Sequence, residues 1–287
     1  MKAPNLAYVR PRSLKEACGI LADHDGEAVP LAGGHSLLAA LNLRLAAPKL
    51  LVDIGELPEL QASSFTAGDI RLGALTRHRE LLASNEVRRA LPLLPRAAAF
   101  IGHAGIRNRG TLGGSLAFAD PAAELPACAV ALGATIAIAG PDGPRELAAE
   151  DFFTGLMETA LRPGELIAGV RFPAGMPGTG YIIDELSRRH GDFAVAGLVI
   201  VAPMHGASVG EARVVYFGCV ERAQLARHVS AALSGRALTP SAIDAVVETV
   251  GDDLAPDDTP GWRAGTKLRL ARTLTRRALT QLAEGTA

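Results

Sequence analysis

Apolar and polar positions along the chain follow two periods, one helical and one alternating. Ser13-Leu14-Lys15-Glu16 fits a capping box, and Leu14, Ala17, Ile20 and Leu21 then recur at helical spacing, which predicts a first helix. Apolar runs at 28–32 and 50–55 read as short strands, and Ile70-Arg71-Leu72-Gly73-Ala74 alternates like a half-buried one. Residues 84–101 read as helical despite two prolines. A helix over 122–132, a strand over 134–139, a turn at Gly140-Pro141-Asp142-Gly143 and a strand over 165–172 follow. Beyond the Pro- and Gly-dense segment 173–180, strands are predicted over 180–188, 193–202 and 209–218, then helices over 222–234, 240–250 and 262–284. Strands in a run followed by helices in a run predict an α+β fold, divided into one domain over 1–173 and a second over 177–287.

Composition narrows the function. The 287 residues carry 29 Lys+Arg against 30 Asp+Glu, a balance without the basic excess of a nucleic-acid binder. Twelve aromatic residues leave few platforms for stacking bases. The three cysteines, at 18, 128 and 219, are too few for an iron–sulfur cluster and too scattered for a disulfide framework. The start of the chain lacks the apolar core of a signal peptide, and the longest apolar stretches fall short of the roughly 18 residues of a membrane span, so a cytoplasmic protein is expected.

Two glycine-rich stretches are the candidate chemistry. Ala32-Gly33-Gly34-His35-Ser36 lies between a strand and an apolar helical stretch; Arg109-Gly110-Thr111-Leu112-Gly113-Gly114-Ser115 is the second. Glycines let a backbone approach a phosphate, and successive amides form an anion-binding nest, so two such loops suit a pyrophosphate held from both sides. Neither is a G-x-G-x-x-G fingerprint or a P-loop. Read as residues alone, each stretch also has a plainer reading as a tight turn.

The sequence resembles a known family at these places. Ala32 to Ser36, with Leu43-Arg44-Leu45-Ala46 and Leu51-Val52-Asp53-Ile54 after it, is similar to the FAD-binding subunit of molybdenum-containing hydroxylases, the family of the carbon monoxide dehydrogenase medium subunit and the xanthine dehydrogenase FAD subunit. So are 106–117, the segment Ala119-Asp120-Pro121-Ala122-Ala123-Glu124-Leu125-Pro126, the segment 187–194 and Thr275-Arg276-Arg277-Ala278-Leu279. The resemblance implies a two-lobed FAD-binding domain of the vanillyl-alcohol-oxidase/CO-dehydrogenase flavoprotein type, followed by a C-terminal antiparallel sheet with helices. It implies that Ala32, Gly33, Gly34, His35 and Ser36 cradle the FAD pyrophosphate, with Thr111, Leu112, Gly113, Gly114 and Ser115 as the second cradle. Leu112 stands where Ile is usual. Glu124 stands where the family usually carries Asp, on the adenosine side; Ile101 and Ile167 would line the flavin, and Phe193 would cover a ring face. FAD would be non-covalent, although His35 occupies the place of a covalent anchor in the wider superfamily.

The implied function is electron transfer through FAD to an external acceptor. The molybdenum cofactor and [2Fe–2S] clusters would sit on a large and a small partner subunit, in a hetero-oligomer forming a dimer of heterotrimers. Each residue also has a plainer reading: Glu124 as a helix N-terminal carboxylate, Ile101, Ile167 and Phe193 as core, Arg188-Arg189-His190 as a solvated turn, and the last helix as packed on its own domain. Gly206-Ala207-Ser208-Val209-Gly210 matches a hydrolase elbow, but a strand is predicted after it where the elbow needs a helix. A stand-alone flavin oxidase or dehydrogenase and a non-catalytic nucleotide-binding module are the rival classes.

Overall fold

The structure, a computed structural model, describes residues 3–285. Residues 1, 2, 286 and 287, at the outer ends of the two expected domains, lie outside the described residues. The first lobe runs β1 (Ala7–Val9), α1 (Leu14–Asp23), β2 (Ala28–Leu31), α2 (Leu37–Asn42) and β3 (Leu50–Asp53), with the three strands parallel in the order β1-β3-β2. The Ser13 side chain accepts the Glu16 amide, while the Glu16 carboxylate reaches back to the amide of Arg12. That cap orients α1 so that Ala17, Cys18 and Leu21 are buried against the sheet.

The second lobe contains β4 (Ser64–Phe65), β5 (Asp69–Gly73), α3 (His78–Ala83), α4 (Asn85–Ala90), α5 (Leu93–Phe100), α6 (Ala104–Arg107), α7 (Leu112–Phe118), α8 (Glu124–Ala131), β6 (Thr135–Gly140), β7 (Gly143–Ala148), α9 (Ala149–Phe152), β8 (Phe153–Gly155), β9 (Glu158–Thr159) and β10 (Leu166–Pro173). Its main sheet is antiparallel, in the order β4-β5-β10-β6-β7. The helix expected over 84–101 is two helices, because Leu91 precedes Pro92 and leaves the helical region at φ −140° and ψ 67°.

The third part contains β11 (Thr179–Leu186), β12 (Ala196–His205), β13 (Ser208–Val209), β14 (Arg213–Phe217), β15 (Gln224–Leu225), α10 (Arg227–Leu233), α11 (Pro240–Glu248), α12 (Val250–Asp253) and α13 (Ala264–Ala283). The sheet runs β11-β12-β14-β15, antiparallel throughout. Within 206–210, Gly206-Ala207 is the hairpin turn from β12 into β13, with Met204 opposite Val209; the helix that a hydrolase elbow requires is not there.

Both faces of this last sheet are buried, and strict alternation divides them. Ile182, Leu198, Ile200, Val214 and Tyr216 point to α10, α11 and α13, whereas Tyr181, Ile183, Val199, Val215 and Phe217 join the core built on α5 and α8 of the second lobe. The chain therefore changes sheets across 174–178 while one core continues through both. Gly197 stands opposite Phe217, whose ring covers the space a Cβ would need. Gly197→Ala should destabilise the chain by about 1–3 kcal/mol in a urea titration, because the fully buried ring has nowhere to move.

Candidate functional site

β2 ends at Leu31, and the chain turns through Ala32, Gly33, Gly34, His35 and Ser36 into α2. Gly34 holds φ +78°, a conformation a side chain disfavours. Gly33 is constrained differently: a Cβ there would run into the carbonyl of Arg109, so the two glycine stretches lie directly against each other. The carbonyls of Leu31, Gly34 and Ser36 accept from Ile54, Leu38 and Ala40. Among the described residues, the amides of Gly33, Gly34, His35 and Ser36 donate to no protein acceptor. Four consecutive unengaged donors at a bend form a concavity suited to an anion. The Ser36 hydroxyl, which caps no amide of α2, is exposed beside them.

The second stretch differs from expectation. Leu112 to Phe118 is helix α7, with Thr111 as its N-cap, and the amides are already in use. Leu112 donates to Thr76 (2.8 Å), Gly113 to Ala74 (2.8 Å), Gly114 to the Thr111 hydroxyl (3.1 Å) and Ser115 to the Thr111 carbonyl (3.0 Å). An expected second nest of amides is thus a capped helix start, because Thr111, Thr76 and Ala74 supply the acceptors that an anion would otherwise provide. Its glycines serve packing: a Cβ on Gly113 would lie 2.6 Å from that of Ala74, and one on Gly110 would lie 2.7 Å from the His78 ring. The Leu112 side chain is fully buried, and that of Ser115 is half-buried.

His78 underlies this junction, and nothing in the basic run around it distinguished it in the sequence. Its Nε2 lies 3.1 Å from the Thr111 carbonyl and must donate to it, which leaves Nδ1 as a buried acceptor without a partner. Burial lowers its pKa to about 4, the Thr111 carbonyl opposes that shift, and the charges of His35 and Arg107 assist it.

The remaining predicted residues lie on separate elements. Ile101 caps the end of α5, half-buried, and its carbonyl accepts from Arg107 at 2.9 Å. Ile167 is buried within β10, beside a register shift, and packs in the second-lobe core. Phe193 is 74% exposed, a large aromatic left uncovered after the turn at Gly191. Arg188, Arg189 and His190 form an exposed turn, with Arg188 over the Trp262 ring at 5.7 Å. The apolar stripe of α13 is buried on β11 and β12 of its own sheet.

Glu124 opens α8. Burial raises its carboxyl to about 8, its own amide opposes the shift, and the charges of Glu185 and Asp120 add to it. Glu185 was missed, although it falls in phase with Tyr181 and Ile183 on the buried stripe of β11. Burial, then the adjacent Asp184, raises it to about 7.

Two family models match the chain: residues 4–175 match the FAD-binding domain in molybdopterin dehydrogenase, and residues 181–282 match the CO dehydrogenase flavoprotein C-terminal domain. This chain belongs to that flavoprotein family. It is 36% identical to the 6-hydroxypseudooxynicotine dehydrogenase complex subunit alpha of Paenarthrobacter nicotinovorans, over 97% of this chain and 95% of that one. It is 34% identical to the carbon monoxide dehydrogenase medium chain of Hydrogenophaga pseudoflava, over 97% of each. The structure of quinoline 2-oxidoreductase from Pseudomonas putida 86 superposes with a TM-score of 0.94 at 36% identity, over 100% of this chain and 99% of that one.

The residues present fit FAD: a pyrophosphate is the kind of anion the free amides of 33–36 accept, and the buried Oε2 of Glu185, which has no donor, suits a hydroxyl. Gly33→Ala should push the two stretches apart and weaken FAD binding by about tenfold or more in a fluorescence titration, while Gly19→Ala, with open space around it, should leave binding unchanged. The flavin-free protein should also lose stability as pH rises. A carboxyl raised from 4.5 to about 8 in the folded state stabilises fully below 4.5, and that contribution disappears as pH climbs to 8. Glu124→Gln should flatten the fall in melting temperature over that window.

Proposed function

We propose that this chain is the FAD-binding subunit of a molybdenum hydroxylase. Bound FAD would supply the chemistry, taking electrons singly from [2Fe–2S] clusters on a partner and passing them as a pair to an external acceptor. The observation that carries this reading is the set of four unengaged amides at Gly33–Ser36, held against Arg109 and Gly110 of the second stretch. Ala32 to Ser36 bind the pyrophosphate; Thr111 to Ser115 support them as a rigid helix start with the Ser115 hydroxyl available. Glu124 binds a cofactor hydroxyl, Ile101 and Ile167 flank the flavin, and Phe193 closes over it. His35 lies in the nest as one of its amide donors, and the flavin stays non-covalent.

Partners follow from the thiols. Cys18, Cys128 and Cys219 are all free and buried, in α1, in α8 and after β14, so they do not supply the four thiolates of a cluster. The clusters belong to a small iron–sulfur subunit and the molybdenum cofactor to a large one, in a dimer of heterotrimers. The relative from Paenarthrobacter nicotinovorans is itself named as a subunit of a complex. Free thiols suit a reducing cytoplasm, and among the described residues no helix is long and apolar enough to cross a membrane.

The test is a visible spectrum of the purified chain, followed by acid precipitation. Flavin bands whose colour moves to the supernatant are expected. Colour retained in the pellet would indicate covalent attachment at His35 and a stand-alone oxidase. A chain that takes up no flavin from excess FAD would overturn the reading.

A further inference from the structure

His78 opens α3 and is 5% exposed, and it is bound to the second glycine stretch twice. Its backbone amide donates to the Gly110 carbonyl at 3.0 Å, and its ring Nε2 lies 3.1 Å from the carbonyl of Thr111, one residue on. One residue thus holds two consecutive carbonyls. The ring edge also occupies the space beside Gly110, where a Cβ would lie 2.7 Å from Cε1 and 2.9 Å from Nδ1.

Stability alone does not require a histidine there. The Thr111 carbonyl already accepts the Ser115 amide at 3.0 Å, so it would not be orphaned without the ring. The Gly110 amide is committed to Ile106 at 2.8 Å, and Nδ1 is left buried with no donor. An acceptor in that position is costly, and an apolar side chain of similar size would fill the space without the cost. What a histidine adds is a stiff, neutral ring whose single proton, on Nε2, makes a donor of fixed direction.

The peptide that this donor steadies is the one the first glycine stretch rests on. A Cβ on Gly33 would lie 2.4 Å from the Arg109 carbonyl oxygen and 3.0 Å from the Gly110 Cα. Arg77, the residue before His78, donates to the Asn108 carbonyl at 3.2 Å, so the entry to α3 grips the segment 108–111 at three carbonyls. Backbone meets backbone at Gly33, and a shift of Gly110 passes directly to the free amides of 33–36 with no side chain between to absorb it. We infer that His78 is a positioning residue for the phosphate nest: its Nε2–H bond to Thr111 holds the Arg109–Gly110 peptide where the amides of 33–36 converge on an anion. It acts through the backbone it binds, and the inference rests on the FAD reading of the nest.

The test separates affinity from stability and asks for rescue. His78→Leu keeps a buried side chain of similar size but removes the donor and the orphaned Nδ1. Its melting temperature without FAD should hold or rise, while FAD binding, by fluorescence titration, weakens about fivefold. His78→Gln restores an N–H at about the reach of Nε2 and should return the affinity to within about twofold of wild type. A fall in melting temperature and affinity together in His78→Leu marks a purely structural histidine and overturns the inference. Wild-type affinity in that variant, or a His78→Gln variant that binds no better, overturns it equally. Gly110→Ala, which drives a Cβ into the ring from the other side, covers the case where the Leu variant does not fold. Its affinity should fall by at least as much, and unchanged affinity again overturns the assignment. If the wild-type chain itself binds no FAD, the reading of the nest fails with it; if the His78 and Gly110 variants all bind as wild type does, that reading stands without His78.

Discussion

Helix α8 is buried on every side from Leu125 to Ala131, and the placement of both large sheets depends on it. Such a helix is apolar all round, and its small residues, Ala127, Cys128, Ala129 and Ala131, let neighbours approach closely. α5 and α7 pack on it from the second lobe, and β12 and β14 pack on it from the C-terminal sheet. Its last carbonyls are satisfied from outside: Arg213 of β14 donates to Val130 at 2.8 Å and to Ala131 at 3.0 Å, and pairs with Glu150. Near its other end, Gly218 donates to Pro121 at 2.7 Å. The C-terminal sheet is thus fixed to the FAD-binding lobes by a shared helix rather than by a linker.

The same burial gives the candidate site its electrostatics. Because α8 begins inside the protein, Glu124 enters a region of low dielectric, and its carboxyl is raised to about 8, chiefly by burial. Burial holds both carboxyls, of Glu124 and Glu185, toward their protonated form, in which each can donate as well as accept a hydrogen bond. The first glycine stretch has the opposite character, with free amides that favour negative charge. A ligand with an anionic centre and hydroxyl-bearing arms matches both at once.

The two glycine stretches look alike in sequence and differ in role. Gly34 is required by a backbone angle, whereas Gly33, Gly110 and Gly113 are required because another chain segment or ring occupies the space of a Cβ. The second stretch is neither a tight turn nor a free nest: Thr111 caps a helix and His78 supports the bend. The anion-binding alternative fits the first, whose amides remain unengaged.

Local pattern determined much by itself. The Ser13 cap, the strands β11, β12 and β14, the hairpin at 206–210 and the glycine bend at 33–34 each depend on neighbours within a few residues, and each was legible. The short edge strand β1 and the helical start at Leu112 were not read, because pairing with β3 and capping by Thr111 decided them; the break at Leu91 was not read although Pro92 marks it locally. His78 and Glu185 were hidden for a related reason: a histidine in a basic run and a glutamate in a strand carry no local mark of burial. Glu185 was half-visible as a charge in phase with Tyr181 and Ile183, but its meaning required knowing that α8 covers that face. Sequence sets which way a side chain points; only the packed tertiary structure decides whether water, a protein partner or an unfilled space meets it there.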